Sequence, residues 1–444
     1  MSVASRFRRN RTKSTIAALA CAGLLVAGTG CQAFGGLGGL LGGGPQIGGV
    51  PGFILGLISN IKIVNPLDTE IVASFQPQAR NGVIFDQPLD RSIVCTAIGA
   101  FDSAPGTGTA GPDGKIYITE RATGQVRKFD PVAKTFDPTA VIDLAVNSSG
   151  QRGLIGVCFA VDGSQMFVTY CASTTAGDTT TEPEGLELRV SSFPFAAGAV
   201  TGAETVLRSA PCRDSVLVSD KNSIGPCAIG PDGKLYWSCG DLDARLPAQN
   251  PFANDFAGKI NRINTDGTIP GDNPFGSGYV TWALGLRDPR SFTFDAENGK
   301  FWVTDIGSIQ GDEINTGTAG ANYGWPWIQG LDQTDPEGIL TTIAFGLYTQ
   351  PQVDFGYSRV TPVGIAVIRN TTYGDGLNGD LFVGQAAAQA GVVRWAGLGG
   401  IIVTRSTLFN TALESGEITG MFLGADGYVY LLTQVHLYRI ELVP

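Results

Sequence analysis

The sequence predicts an all-β protein, a six-bladed β-propeller built of four-stranded antiparallel blades. Three observations carry that reading. Glycine makes up 62 of 444 residues with no G-X-Y period, which excludes collagen and points to a turn-rich chain. Short runs of alternating apolar residues follow an Asp-Gly or Asn-Gly turn six times, and such turns reverse the chain between two strands because they tolerate φ > 0. No segment reads as a strong amphipathic helix. The first repeat is Pro112-Asp113-Gly114-Lys115 leading into Ile116-Tyr117-Ile118-Thr119. Asp162-Gly163, Pro231-Asp232-Gly233, Asn298-Gly299, Asn378-Gly379 and Asp426-Gly427 follow, each opening a comparable strand. The turn glycines are spaced by 49, 70, 66, 80 and 48 residues. Each interval suits one blade, with insertions in the middle blades gathered at one face. A pair of β-sandwiches with coincident hairpins is the alternative architecture. Tyr236, Trp302 and Tyr430 within these strands read as blade core.

Ahead of the repeats, residues 1–31 read as an export signal. Arg6, Arg8, Arg9, Arg11 and Lys13 precede an apolar run from Ile16 to Thr29, the order expected of a secretory leader. It ends Gly28-Thr29-Gly30-Cys31, which resembles a lipobox with Cys31 as the lipidated residue. Residues 32–60 are Gly/Leu-rich and read as a tether, and the propeller is assigned to 61–444. An exported protein follows, periplasmic or lipid-anchored in a bacterial envelope. Past residue 31 no run of eighteen apolar residues occurs, so the membrane would be reached only through the lipid. The whole chain carries 30 Lys+Arg against 40 Asp+Glu. The leader holds five of the basic residues and no acidic one, leaving a net charge of −15 that argues against nucleic-acid partners.

Rare residue types narrow the chemistry. One histidine, His436, nearly excludes His-rich zinc sites, Ser-His-Asp triads and haem ligation, and its place in a strand past the last turn gives it a structural role. Six cysteines follow Cys31, namely Cys95, Cys158, Cys171, Cys212, Cys227 and Cys239. An even number in an exported chain permits disulfides. Cys158 and Cys171 flank the turn at Asp162-Gly163-Ser164-Gln165 and are expected to face each other across a hairpin, the alternative being buried thiols.

The motifs between the turns are the most specific signal. They comprise Thr119-Glu120-Arg121-Ala122-Thr123-Gly124, Gly150-Gln151-Arg152-Gly153-Leu154-Ile155-Gly156, and Gly230 to Tyr236 with Gly240-Asp241. Then come Gly258-Lys259-Ile260, Asp266-Gly267-Thr268-Ile269-Pro270 and Gly285-Leu286-Arg287-Asp288-Pro289, followed by Gly311-Asp312-Glu313-Ile314-Asn315 and Asn322-Tyr323-Gly324-Trp325-Pro326. In this order the set resembles the soluble PQQ-dependent glucose/sorbosone (aldose sugar) dehydrogenases from about residue 100 to 440. The resemblance implies a six-bladed propeller, PQQ and Ca2+ on its top face, and oxidation of a small sugar at the anomeric carbon. In that chemistry a histidine takes the hydroxyl proton while hydride passes to the quinone. A base of pKa near 6.5 suits the first task. Cations suit the three carboxylates of PQQ and Ca2+ its carbonyl.

Carried over by position, Gln151 matches a glutamine that contacts the cofactor and Asp241 the acid that orients the base. Arg287 matches the arginine beside the quinone, and Asp288 stands where the family has Asn. Gly307 and Ser308 fall where backbone carbonyls hold the cofactor's calcium. Glu313, the carbonyl of Tyr323, and Asp332 or Asp335 match a second, structural calcium site. Trp325 and Trp327 are candidates to stack on a sugar. The departures are as informative. Asn222 occupies the catalytic histidine position, and an amide has no useful basicity; Asp288 is the nearest replacement base. Gln389 stands in place of a cofactor-binding lysine, and Glu417-Ile418-Thr419 in place of two arginines. Loss of about three charge-assisted bonds, each worth roughly 1.5–3 kcal/mol, weakens the hold on PQQ. The alternative function is a catalytically silent propeller, tethered to the envelope, that binds a carbohydrate or a protein.

Overall fold

The computed structural model describes residues 78–80, 83–87, 93–180, 185–212, 221–308, 310–331, 348–369, 371–386, 391–398, 402–410 and 418–442. The leader, Cys31, the tether, Asp332, Asp335, Gln389 and Glu417 lie outside them. A compact unit spans Phe75–Pro444, and its strands form six sheets, antiparallel but for one edge strand, that follow one another in sequence apart from three N-terminal edge strands. The innermost strands are Pro105–Ala110, Leu154–Phe159, Ile224–Ile229, Ser291–Phe294, Pro362–Val367 and Ile418–Leu423. Each packs on the next and the last packs on the first, so blades one to six close a ring. The all-β, six-bladed expectation holds.

All six turn glycines lie at positive φ, between +70° and +90°, and each turn joins an inner strand to the second strand of its blade. In three of them a tyrosine two residues past the glycine-plus-one position locks the turn. Tyr117 Oη donates to Asp113 (2.9 Å), Tyr236 Oη to Asp232 (2.9 Å) and Tyr430 Oη to Asp426 (2.6 Å). These turns mark the bottom face; the loops entering each inner strand lie on the top.

The core is six wedges, one at each blade interface, as radial packing of twisted sheets requires. Tyr236 packs between blades three and four, Trp302 between four and five, and Tyr430 between six and one. Hydroxyls of the second strands stitch blade to blade: Thr119 Oγ1 donates to Ile155 O (2.9 Å), Thr169 Oγ1 to Gly225 O (2.7 Å) and Ser238 Oγ to Pro289 O (2.8 Å). Three N-terminal strands finish the outer edges. Gln78–Ala79 extends blade four and Val83–Gln87 runs parallel to Ile402–Asn410 in blade five. Ile93–Ala100 pairs antiparallel with His436–Leu442, closing the ring through blade six. His436 opens that strand with its ring 6.0 Å from Tyr438.

The hairpin expectation for Cys158 and Cys171 is corrected. The turn closes on Ala160 and Gln165, which centres it two residues earlier than an equal count between the cysteines. Cys158 therefore pairs with Phe167, while Cys171 lies near the far end of its strand opposite Leu188.

A Cβ on Gly156 would stand 2.7 Å from the backbone N of Cys227 in blade three, whereas one on Gly114 would meet nothing within 4 Å. Gly156→Ala is expected to cost about 1–3 kcal/mol by overpacking. Gly114→Ala, strained only in φ, is expected to cost about 1 kcal/mol or less. Urea midpoints of the two variants test the ordering.

Candidate active site

The top-face loops of blades two, three and four bring together Gln151, Asn222, Asp241, Arg287 and Asp288, as expected from sequence. Asn222 enters blade three in the left-handed region (φ +46°), which asparagine tolerates better than most residues. Its backbone N–H donates to Gln151 Oε1 (2.5 Å) and its Nδ2 to Asp241 Oδ1 (2.7 Å). Gly240 lies so close that a Cβ there would sit 2.3 Å from Asn222 O.

Asp241 is the hub. Besides Asn222, its Oδ1 accepts from the backbone N–H of Asp243 (2.9 Å), and its Oδ2 from Trp325 Nε1 (2.8 Å). Its own N–H donates to Arg287 O. Burial pushes its carboxyl above the usual range, opposed by the bonds from Asn222, Asp243 and Trp325 and by the charge of Arg287. Trp325 is buried, flanked by the guanidinium groups of Arg245 and Arg287 at 5.9 and 5.7 Å. It is a wall of the site whose indole edge is taken up by Asp241; Trp327 is half-buried. A pair that sequence reasoning missed, Gln249 and Asn322, exchanges two side-chain bonds (2.9 and 2.8 Å) and holds Trp325 O at 2.7 Å. Neither residue type announces such a role locally, since the pair joins positions 73 apart.

Arg287 and Asp288 are set by Asp305, also missed. Its carboxylate accepts from Arg287 N (2.9 Å) and Asp288 N (2.7 Å), and burial pushes its pKa up to about 7. Asp288 is buried and paired to Arg290 at 2.8 Å. Asp312 braces the next turn, accepting from Gly307 N, Val360 N and Thr361 N.

The carbonyls assigned to the cofactor's calcium do not fit a calcium ion. Arg287 Nη1 donates to Gly307 O (2.9 Å) and Ile306 O (3.1 Å), and Arg359 Nη1 donates to Ser308 O (2.5 Å). Guanidinium charge already sits on the oxygens that a divalent cation would need. At the second site, strand register places Asp305, Glu313 and Asp354 side by side. Glu313 accepts from Gly330 N (2.7 Å) and Asn315 Nδ2 (2.8 Å), and burial with Asp305 and Asp354 pushes its carboxyl well up. Tyr323 is buried nearby. Among the described residues no group of three His, Cys, Asp or Glu is placed to hold a metal.

Ser223 Oγ and Thr419 Oγ1, on the inner-strand entries of blades three and six, are buried without a hydrogen-bond partner. A buried polar atom left unpaired costs about 1–3 kcal/mol, which a ligand would recover. Arg121 lies near enough to Arg290 that burial and then this second cation disfavour its charge. Arg290 is paired with Asp288, and Arg121 Nη1 donates to Ser148 O, Gly150 O and Arg152 O.

The sequence profile of the family described as Glucose / Sorbosone dehydrogenase matches residues 104–439. The chain is 30% identical over 243 residues to quinoprotein glucose dehydrogenase B of Acinetobacter calcoaceticus, covering 50% of this chain and 49% of that protein. It is 29% identical over 181 residues to the aldose sugar dehydrogenase YliI of Escherichia coli K12, covering 40% and 47%. The chain thus spans about half the length of the curated relatives it matches. The PQQ-bound aldose sugar dehydrogenase of Streptomyces coelicolor shares its fold, with a TM-score of 0.62 over 80% of this chain and 100% of that one at 18% identity.

Trp325→Phe removes the donor to Asp241 Oδ2 while keeping a ring in the wall. A loss of about 1–3 kcal/mol is expected from the unsatisfied carboxylate oxygen, read as a lower urea midpoint; an unchanged midpoint would show that Asp241 is not the hub.

Proposed function

Because the chain belongs to the Glucose / Sorbosone dehydrogenase family, we propose that its top face takes a PQQ-type quinone and a small aldose and acts as a sugar dehydrogenase with weakened proton transfer. The observation that carries this is the assembled cluster of Gln151, Asn222, Asp241, Arg287 and Trp325 at the channel mouth. When bound, the quinone supplies the acceptor for the hydride from the anomeric carbon. This chain's residues supply the surroundings. Arg121, Arg290, Ser223 and Thr419 would meet the cofactor's carboxylates, with Arg287 toward the quinone edge. Trp325 shuts water out beneath them. Asn222, held by Gln151 and Asp241, presents an amide to the sugar hydroxyl; it orients that group and takes no proton from it. Asp288 is the remaining carboxylate beside Arg287, and it is already paired with Arg290. General-base catalysis contributes about 10²–10⁴-fold, so turnover is expected to be lower than that of a histidine-bearing enzyme by a factor of that order.

A second reading is favoured by the bond between Asn222 and Asp241. The carboxylate that would orient a base here holds an amide together with Asp243 N and Trp325 Nε1, as suits a propeller that binds a carbohydrate or protein without turnover. Under either reading we place the protein outside the cytoplasm, periplasmic or held through Cys31.

Purified protein titrated with PQQ and assayed for dye-linked aldose oxidation separates the two. Binding with slow turnover is expected; neither binding nor turnover would sink the dehydrogenase reading, and appreciable turnover would sink the silent one. Asn222→His alone is not expected to restore strong activity, because Gln389 and Glu417 still replace cofactor-binding cations. EGTA is expected to leave PQQ affinity within about twofold, since Arg287 and Arg359 hold the oxygens calcium would use; a tenfold loss, about 1.4 kcal/mol, would refute that.

A further inference from the structure

Strained backbone is concentrated beside the site. Among the described residues eight other than glycine lie at positive φ, and five of them, Asn222, Leu242, Asp243, Arg245 and Phe256, fall in the top-face segments of blade three. Arg245 is the most unusual. Its φ of +60° and ψ of −70°, with Leu246 N donating to Ala244 O across it (2.8 Å), make it the centre of a γ-turn of the rare, strained kind. Glycine would hold that conformation with no Cβ in the way, yet an arginine stands there.

Such strain persists only where the surroundings over-determine it, and here they do. Before the turn, Ala244 N donates to Asp241 O (2.9 Å); after it, Ala248 N donates to Arg245 O (3.0 Å). The short 3-10 turn Leu246–Gln249 is then held from three directions. Lys259, with its side chain fully buried, donates from Nζ to Pro247 O (2.9 Å), Ala257 O (2.9 Å) and Asp255 Oδ1 (2.5 Å). Gly285 N donates to Ala248 O (2.9 Å), and Gln249 Nε2 to Trp325 O (2.7 Å). The outcome is an exposed arginine on a fixed backbone. Its guanidinium carbon stands 5.9 Å from the ring centre of Trp325, and the indole N–H of Trp325 is held by Asp241. One side chain thus separates Arg245 from the pair Asp241 and Asn222.

We propose that Arg245 is a specificity-determining residue. It receives an anionic group that the aldose carries away from its anomeric carbon, so the site takes sugars bearing a carboxylate or a phosphate in preference to neutral ones. The proposal deepens the reading above and rests on it for the sugar's place beside Asn222. A guanidinium is permanently charged and presents a planar fork of donors that matches an oxyanion. Contact with the Trp325 ring restrains this long side chain in advance, which lowers the ordering cost of binding. Arg287, on the same ring at 5.7 Å, offsets the charge of Asp241.

The test titrates purified protein, without PQQ, with glucuronate, glucose 6-phosphate and glucose, and reads tryptophan fluorescence. The Trp325→Phe variant assigns the signal. At least one acidic sugar is expected to bind tighter than glucose by about tenfold or more, the low end for a charge-assisted bond, and added salt is expected to shrink that margin. Which acidic sugar gains tells carboxylate from phosphate. Arg245→Ala is expected to remove the margin and Arg245→Lys to keep part of it. Arg245→Gly is expected to remove it while raising the urea midpoint, because the strain is relieved; a residue serving only the fold would not give a more stable protein that binds worse. Equal affinity for all three sugars, or a margin that survives Arg245→Ala, would overturn the proposal. So would a fall in PQQ affinity in Arg245→Ala with the sugar preference intact, which would give the arginine to the cofactor. Dye-linked turnover with PQQ present separates this from the parent reading. A preference that depends on Arg245 without turnover would fault the dehydrogenase and leave the assignment standing, whereas turnover favouring glucose over both acidic sugars would fault the assignment and leave the dehydrogenase.

Discussion

The innermost strands of neighbouring blades approach one another closely, and the rest of the structure follows from that contact. At five of the six interfaces a glycine allows that contact. A Cβ on Gly106 would lie 2.7 Å from Leu154 O, on Gly156 2.7 Å from Cys227 N, on Gly225 3.1 Å from Pro289 O, on Gly364 2.8 Å from Met421 N and on Gly420 3.3 Å from Gly106 O. At the sixth, between blades four and five, Ser291 Oγ instead accepts from Ile365 N (3.2 Å). A ring of six sheets can be this tight only if side chains are absent, or small and hydrogen-bonded, where neighbouring backbones meet. The glycine excess is therefore divided between bottom turns, which need positive φ, and the axis, which needs space.

Tight packing at the axis fixes where chemistry can sit. With the inner strands in contact, the groups able to face a ligand are those on the loops that enter them. Those loops are held by buried carboxylates: Asp241 for Asn222 and Trp325, Asp305 for Arg287 and Asp288, Asp312 for Gly307 and the Val360–Thr361 turn. Each is buried with its oxygens accepting N–H bonds, which is how a buried charge becomes tolerable. The site's cations are oriented by anions that never reach the surface.

The architecture was legible because its signals are local: a turn of fixed composition, a strand of fixed alternation, six times. The assembly of Gln151, Asn222, Asp241, Arg287 and Asp288 was legible through ordered motifs, each with its own place in the ring. What could not be read depends on distance in sequence. Gln249 meets Asn322 across 73 residues, and Asp305 acts through main-chain N–H groups, which carry no side-chain signature. The hairpin between Cys158 and Cys171 failed because equal flanks do not define a turn; the bonds between Ala160 and Gln165 do, and they move the centre by two residues. Trp325 read as a sugar platform from its insertion, but its indole N–H had a buried acceptor to satisfy, and that drew the ring inward.

Two features of the site share one electrostatic logic. A histidine hydrogen-bonded to Asp241 would share a proton with it and alternate between charge states, so the carboxylate would tune basicity. An amide donates one bond to the same oxygen and has nothing to give up, so the carboxylate only fixes position. Arg287 and Arg359 make a similar exchange at the carbonyls of Gly307 and Ser308. A calcium ion brings charge that can be released and rebound, whereas a guanidinium brings permanent charge on a tether with directional donors. In both places the charge is met by a fixed hydrogen-bond donor. Under the proposed function, fixed donors of this kind keep the shape and polarity that recognise a ligand while contributing nothing that moves charge during turnover, so such a site should lose rate before the binding that these donors supply.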